Sequence, residues 1–485
     1  IHHLAHNNGR VGVTGTSYPG WLTEMAEVRP HPALKAAAPM APMTDTWIGD
    51  DFFHNGAFRM TYGLEYSTLL ESGHENTVFD VGSDDMFDWY YRHWPLSLIS
   101  DSMLHGKFPT WASFVAHPAY DQYWQRRGAE HALTHTTVPT LDVGGWWDQE
   151  DFFGPLEMYR TLEKTDTAGI NFIALGPWNH GGWHGNGTSL GAVEFGQPSS
   201  GWFRTHILVP FFNHYLKGTD SLPLAKAVTF EAGDNRWRFW DSWPPKNAEA
   251  KALYFHADGK LSFDPPAGTA GTAGTAGTSP TPFDSYVSDP RHPVPYRRRP
   301  ISPVYSPKGS EWYAWLVSDQ RFVDGRPDVL VWETDPLTDD VTIAGNVTAR
   351  LFAATTGSDV DWVVKLIDVY PDTVAGKPAM GHYELMVADD IFRGRYRTSY
   401  EHPQPITPNR VLPYTIDLHQ QNYRFQKGHR IMVQVQSTWF PLYDRNPQTF
   451  VPNIFLAKKS DFKAQTERIY RTATQASRVE VEVVK

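Results

Sequence analysis

The sequence predicts an α/β fold built on a parallel sheet, broken by a helical insertion and followed by an all-β sandwich. Three observations carry that expectation. Val11-Gly12-Val13 reads as a buried strand that runs into Gly15-Thr16-Ser17-Tyr18-Pro19-Gly20 and then into a helix-forming stretch. Strand and helix alternate again between Val138 and Leu175, at the lengths of a covered parallel sheet. Beyond about Ala225, short strand-like runs follow one another between Pro, Gly and Asp turns, with few helices.

In chain order, residues 1–51 hold the first strand, a helix over 21–28 and a second apolar strand over 34–39. From 52 to 137 the chain turns aromatic and His-rich, as in Met86-Phe-Asp-Trp-Tyr-Tyr-Arg-His-Trp94, the pattern of an inserted helical cap. The sheet resumes over 138–224, with a strand at 138–143, a helix near 155–164 and a strand at 171–175. A last helix at 205–216 stops at Lys217-Gly218. Residues 225–485 form the sandwich, of jelly-roll type, with strands at 227–231, 328–332, 341–352, 361–370 and 430–436. Within it, the Gly-Thr-Ala tract at 268–278 has no apolar face and reads as a loop insertion.

At 485 residues, with 41% hydrophobic and 20% charged side chains, the chain has ample material for large cores. The aromatic share of 14% is high; such rings chiefly fill cores and interfaces, and can also line a pocket. Net charge is −11 and basic residues are scattered, so no nucleic-acid surface is expected. Arg297-Arg298-Arg299 reads as loop arginines paired with carboxylates. No stretch approaches the roughly 20 apolar residues of a membrane span. The absence of cysteine excludes disulfides, thiol catalysis and cysteine-ligated metals. Nothing in the pattern calls for a cofactor or a metal.

A G-x-S-x-x-G turn between strand and helix is a variant of the nucleophile elbow of α/β-hydrolases. Its glycines allow backbones to approach closely, and Ser17 at a helix N-terminus puts N–H groups near a developing oxyanion. Taken alone, the motif fits a Gly/Ser loop without chemistry equally well. An elbow serine needs a base and an acid to orient it, in the order Ser, Asp, His. Asp148 follows the strand ending at Val143, and His180 follows the next strand, 32 residues on. His184 and His31 are less well placed. Two acidic groups lie outside a triad: Asp50-Asp51 and Glu150-Asp151. They suit a metal such as Ca²⁺, a substrate ammonium, or pairing with arginines such as Arg59.

This fold normally places several strands before the nucleophile, whereas the chain opens Ile1-His2-His3-Leu4 with no initiator Met. The expectation is the larger part of a longer protein. Beginning at Ile1, it would expose a sheet edge, aggregate, and lack one oxyanion donor, a loss of about 2.7–4 kcal/mol.

The residues resemble the α-amino-acid ester hydrolases, a branch of the cocaine-esterase-like and X-Pro-dipeptidyl-peptidase-like serine hydrolases. The resemblance runs through Thr14-Gly-Thr-Ser-Tyr-Pro-Gly20, Pro30-His-Pro-Ala-Leu-Lys35, Trp47-Ile-Gly-Asp-Asp51 and Trp147-Asp-Gln-Glu-Asp151. It continues in Gly176-Pro-Trp-Asn-His180, Tyr286-Val-Ser-Asp-Pro290 and Asp361-Trp-Val-Val-Lys-Leu-Ile-Asp-Val-Tyr370, and so spans the chain. It implies Ser17 as nucleophile, His180 as general base, Asp148 as its orienting acid and the Tyr18 backbone N–H as half of the oxyanion hole. The other half, a tyrosine hydroxyl upstream of the elbow, falls outside this sequence. The family's carboxylate cluster, which holds the substrate's α-ammonium, matches Asp51, Glu150 and Asp151. Pro19 stands where an acidic residue is common, and Asn179 where a basic one is often seen.

By the same resemblance, the substrate is a small amino-acid ester or amide, β-lactam side chains included, acting through an acyl-enzyme. A homotetramer exported to the periplasm or secreted is also implied. A general carboxylesterase, an X-Pro dipeptidyl-peptidase and a non-catalytic sandwich protein with a decayed hydrolase remain as alternatives.

Overall fold

The computed structural model describes residues 5–78, 81–104, 107–218, 224–267 and 281–485. The Gly-Thr-Ala tract at 268–278 lies outside them. Six strands build the first sheet: β1 (Val11–Ser17), β2 (Leu34–Pro42), β3 (Thr140–Gly145), β4 (Asn171–Gly176), β5 (Ala227–Glu231) and β6 (Arg236–Trp240). They lie side by side in that order. Neighbours from β1 to β5 are parallel, and β6 turns back antiparallel to β5.

The last two strands correct the expected boundary at 225. The run at 227–231 is a strand, but it pairs with β4, Ile173 opposite Ala227, and so extends the hydrolase sheet. Every residue of β5 is buried. A short apolar run reads the same in a parallel sheet and in a sandwich, and only its partner decides. The sandwich strands therefore begin at Glu249.

Helix α1 (Tyr18–Val28) leaves β1 directly. The expected cap supplies α2 (Met60–Glu71), α3 (Met86–Arg92) and α4 (Pro109–Ala116), and α5 (Phe153–Glu163) follows β3. α1 and α5 meet through Trp21, Met25, Val28, Met158 and Leu162. A helical run of α and π turns over 199–217 packs Phe203, Ile207 and Phe211 onto Ala36, Ala38, Leu141 and Val143. Gly218 ends it at φ 70°, a left-handed C-terminal cap that glycine adopts without strain.

The second half is an antiparallel sandwich of an eight-stranded and a four-stranded sheet. Val341–Thr355 is central to the larger one, flanked by Leu412–Phe425 and Arg478–Val484. Asp361–Val369 is central to the smaller, between Glu384–Arg393 and Arg430–Gln436. The aromatic residues of the cap are buried against this sandwich rather than against water. Phe58 stands 4.9 Å from Phe455, and Phe87 5.0 Å from Phe440, ring centre to ring centre. Arg299 reaches Asp85 and Asp88 at 2.7 and 2.5 Å, and Arg297 pairs with Glu311 at 2.7 Å, so both serve as the carboxylate-paired loop arginines expected. No helix among the described residues is long and apolar enough to cross a membrane.

Candidate active site

The strand-to-helix turn has the strain of a nucleophile elbow. Ser17 sits at φ 66°, ψ −127°, a conformation that a side chain rarely adopts and that tight packing must impose. Gly15 and Gly20 impose it. A Cβ on Gly15 would lie 2.4 Å from the Pro19 carbonyl oxygen, and one on Gly20 2.8 Å from that of Met40. Pro19 falls in the first turn of α1, where its missing N–H is no loss.

Asp148 and His180 come together where β3 and β4 end. His180 Nδ1 lies 3.0 and 3.1 Å from the two Asp148 carboxylate oxygens. Asp148 is itself held, because its Oδ1 accepts from the backbone N–H of Glu150 and Asp151 at 2.9 and 3.0 Å. The Gln149 side chain accepts from the His180 backbone N–H at 3.2 Å. The loop after His180 reaches back to the elbow: Trp183 Nε1 donates to Thr16 Oγ1 at 3.2 Å, and His184 Nε2 stands 2.9 Å from the same hydroxyl. No hydrogen bond joins Ser17 Oγ to His180. The imidazole Nε2 instead faces Glu150 Oε2 at 3.5 Å. Catalytic hydrogen bonds in unliganded sites are often long and tighten with substrate.

The expected carboxylates converge on this pair. Asp50 and Asp151 form a single antiparallel bridge, and the Asp51 backbone N–H donates to the Glu150 carbonyl and to Asp151 Oδ1 at 3.2 and 3.3 Å. Glu150 is fixed by Trp312 Nε1 at 2.6 Å, Gln149 Nε2 at 2.9 Å and the Tyr62 hydroxyl at 3.2 Å. Asp51 Oδ1 and Asp151 Oδ2 are buried and have no hydrogen-bond partner. Burial, then Glu150, push Asp51 up to about 6, against the pull of His180 and Arg59. Asp151 is raised by burial and by the charges of Asp51, Asp50 and Asp148. Asp50 is different: its oxygens accept from the Asp45 and Gly154 backbone N–H groups, which makes it a brace for the loop.

Arg59 does not neutralise the cluster as a salt bridge would. Its Nη1 donates to the Glu150 carbonyl at 3.1 Å, and its other end meets His54. His54, Asp390 and His419 have the spacing of metal ligands. These groups already hold one another, since Arg59 donates to His54 Nε2 and His54 Nδ1 stands 2.8 Å from Asp390 Oδ1.

Trp312, Tyr62 and Gln149 were not legible as site residues. Trp312 comes from a 3₁₀ turn of the second half, Glu311–Val317, and meets Glu150 across 162 residues of sequence. No local pattern marks such a contact. Beside the elbow, a cavity of about 270 Å³ is lined by Tyr18, Trp21, Phe52, Tyr66, Phe114 and Trp124.

Residues 1–182 match the model of the X-Pro dipeptidyl-peptidase S15 family, and residues 217–480 that of the X-Pro dipeptidyl-peptidase C-terminal non-catalytic domain. The chain belongs to the S15, CocE/NonD-like hydrolases. One relative is a cocaine esterase from Rhodococcus sp. (strain MB1 Bresler), 29% identical over 457 residues, 91% of this chain and 75% of the relative. Among solved structures, an aminopeptidase from the marine sediment archaeon Thaumarchaeota archaeon superposes with a TM-score of 0.95 at 44% identity, over 100% of this chain and 78% of its own. An α-amino acid ester hydrolase superposes with a TM-score of 0.94 at 41% identity and the same coverage. As a member of this group the protein is a serine hydrolase, and the model matched by residues 217–480 describes a non-catalytic domain.

Proposed function

We propose that this serine hydrolase acts on esters and amides of α-amino acids, β-lactam side chains included, by double displacement. Ser17 Oγ attacks the acyl carbonyl while His180 Nε2 takes its proton, and Asp148 holds the imidazole by its Nδ1–H. The Tyr18 N–H, first of α1, faces the oxyanion. His180 then returns the proton to the leaving alcohol or amine. Water, or the amine of a β-lactam nucleus, attacks the acyl-enzyme with His180 again as base.

The observation that carries the substrate class is the pair of buried, unpartnered oxygens on Asp51 and Asp151 beside Glu150. Buried carboxylate oxygens without a hydrogen-bond donor are costly. A primary ammonium supplies the charge and three N–H donors at once. The aromatic cavity next to Tyr18 and Phe52 has room for a ring on the acyl or leaving group. The solved aminopeptidase at 44% identity favours a second reading, cleavage of N-terminal residues, which would use the same ammonium site.

Comparing phenylglycine methyl ester with methyl phenylacetate tests the first reading, and an aminoacyl-peptide amide the second. Asp51→Asn is expected to lower kcat/KM for the amino ester by 2 kcal/mol or more, about thirtyfold, and to leave the neutral ester nearly unchanged. Equal losses on both esters would remove the ammonium role. Faster turnover of the peptide than of the ester would favour the peptidase.

A further inference from the structure

We propose that the substrate's ammonium and the proton on His180 compete for the same carboxylates, so that an α-amino substrate switches on the base that cleaves it. This rests on the ammonium reading above and concerns how that site governs the chemistry.

The geometry sets a carboxylate at each imidazole nitrogen. Asp148 takes Nδ1 at 3.0 Å, Glu150 Oε2 stands 3.5 Å from Nε2, and Asp151 Oδ2 lies 4.0 Å from Nδ1. Such a cage favours imidazolium, and an imidazolium has no lone pair at Nε2 to accept the Ser17 proton. Burial pulls the other way, but Asp148, Glu150 and Asp51 outweigh it and raise His180 to about 10. The surrounding groups come from every neighbouring element. Asp148, Glu150 and Asp151 follow β3, Asp51 follows β2, Arg59 and Tyr62 lie at the start of α2, Trp312 and Tyr313 come from the second half, and His184 lies on the same loop. Among the described residues, His180 is the only cation within 4.0 Å of a carboxylate oxygen of Asp51, Glu150 or Asp151.

An arriving ammonium takes over that role. It places a second positive charge against Glu150, Asp51 and Asp151, and the field that held the imidazolium is spent on the substrate. The Nε2–H bond breaks, its electron pair stays on the nitrogen as the lone pair of the base, and the proton passes to solvent, so one cation enters the cluster as one positive charge departs. Neutral imidazole then faces Ser17. A neutral ester brings no such charge and meets a site whose base remains protonated. Discrimination therefore falls on kcat as well as on KM.

The test uses benzylamine, a primary ammonium without a scissile bond, with benzyl alcohol as its neutral counterpart. Calorimetry at neutral pH in buffers of different ionisation enthalpy counts the protons released. Ring-labelled histidine NMR, assigned with His180→Asn, follows the titrating group. Benzylamine is expected to release most of one proton and to lower the His180 titration by about three to four pH units; benzyl alcohol should do neither. In parallel, the ascending, acid-side limb of kcat against pH is expected to lie about three to four units lower for phenylglycine methyl ester than for methyl phenylacetate. Glu150→Gln should bring the two limbs together by lowering that of the neutral ester. Benzylamine that competes with substrate but releases no proton, with coincident limbs, would overturn this proposal and leave the ammonium site standing. Benzylamine that does not bind at all would overturn both. The wild-type measurements decide the matter even if the Glu150 variant fails to fold.

Discussion

Glu150 concentrates more of the site's interactions than any other side chain. One oxygen is held by Trp312 and Gln149, the other by Tyr62, and the latter oxygen faces His180. Trp312→Phe keeps the ring, which stacks on Tyr62 at 5.6 Å, and deletes only the donor. A buried hydrogen bond to a charged group contributes about 1.5–3 kcal/mol, so kcat/KM for the amino ester is expected to fall roughly ten- to a hundredfold. Steady-state kinetics on both esters check it, and an equal fall on the neutral ester would reduce Trp312 to packing. His180 also leaves a mark on stability. Its pKa is raised in the folded protein, so its contribution is complete below its ordinary value of 6.5 and is lost as pH rises toward about 10. Melting temperature should fall across that window, and less steeply in His180→Asn.

The elbow and the helix behind it set the next scale. Gly15→Ala would drive a Cβ into the Pro19 carbonyl, backbone against backbone, where nothing flexible yields. Overpacking of this kind costs about 1–3 kcal/mol, and here it would also turn Ser17 out of line. Loss of fluorophosphonate labelling at a modest drop in melting temperature is the expected outcome; normal labelling would show that the turn tolerates relaxation. Deeper in α1, Glu24 and Glu27 are buried with Asp142 of β3, and both Asp142 oxygens lack a partner. Burial raises Glu27 to about 8, against its bond from Thr140. A raised carboxylate stabilises the fold below its ordinary pKa and loses that contribution as pH climbs through the folded value. Glu27→Gln should therefore blunt the loss of thermal stability between pH 4.5 and about 8. An unchanged pH profile of melting would count against α1 as the pH-sensitive element.

At the scale of the molecule, the two halves are sewn together around the site. Trp147, beside Asp148, donates to the Met386 carbonyl at 3.0 Å, and Trp312 reaches Glu150 from the other side. Arg393 pairs with Asp361 and Asp444 at 2.8 Å, and Asp444 also accepts from the Phe58 backbone N–H at 3.0 Å, which ties the cap to the sandwich. All three charges are nearly inaccessible. Removing one member of a buried ion group costs about 3–5 kcal/mol, because the others are left uncompensated. Arg393→Met is expected to lower the melting temperature of the whole chain in a single calorimetric transition. Two separated transitions would mean that the halves melt independently.

The sequence by itself determined the parts whose physics is local. A strand running through Gly-x-Ser into a helix allows a strained turn, and the loops after successive parallel strands must open at one edge, so the strain at Ser17 and the meeting of Asp148 with His180 were legible from order and spacing. The helix stop at Gly218 was legible for the same reason. Tertiary structure decided what depends on partners distant in sequence. Whether 227–231 joined the sheet or the sandwich depended on the strand beside it, since short apolar runs look alike. That Arg59 serves a backbone carbonyl rather than the carboxylates, that Trp312 holds Glu150, and that His180 faces Glu150 rather than Ser17 could be known only once burial had removed the water that would otherwise satisfy each group.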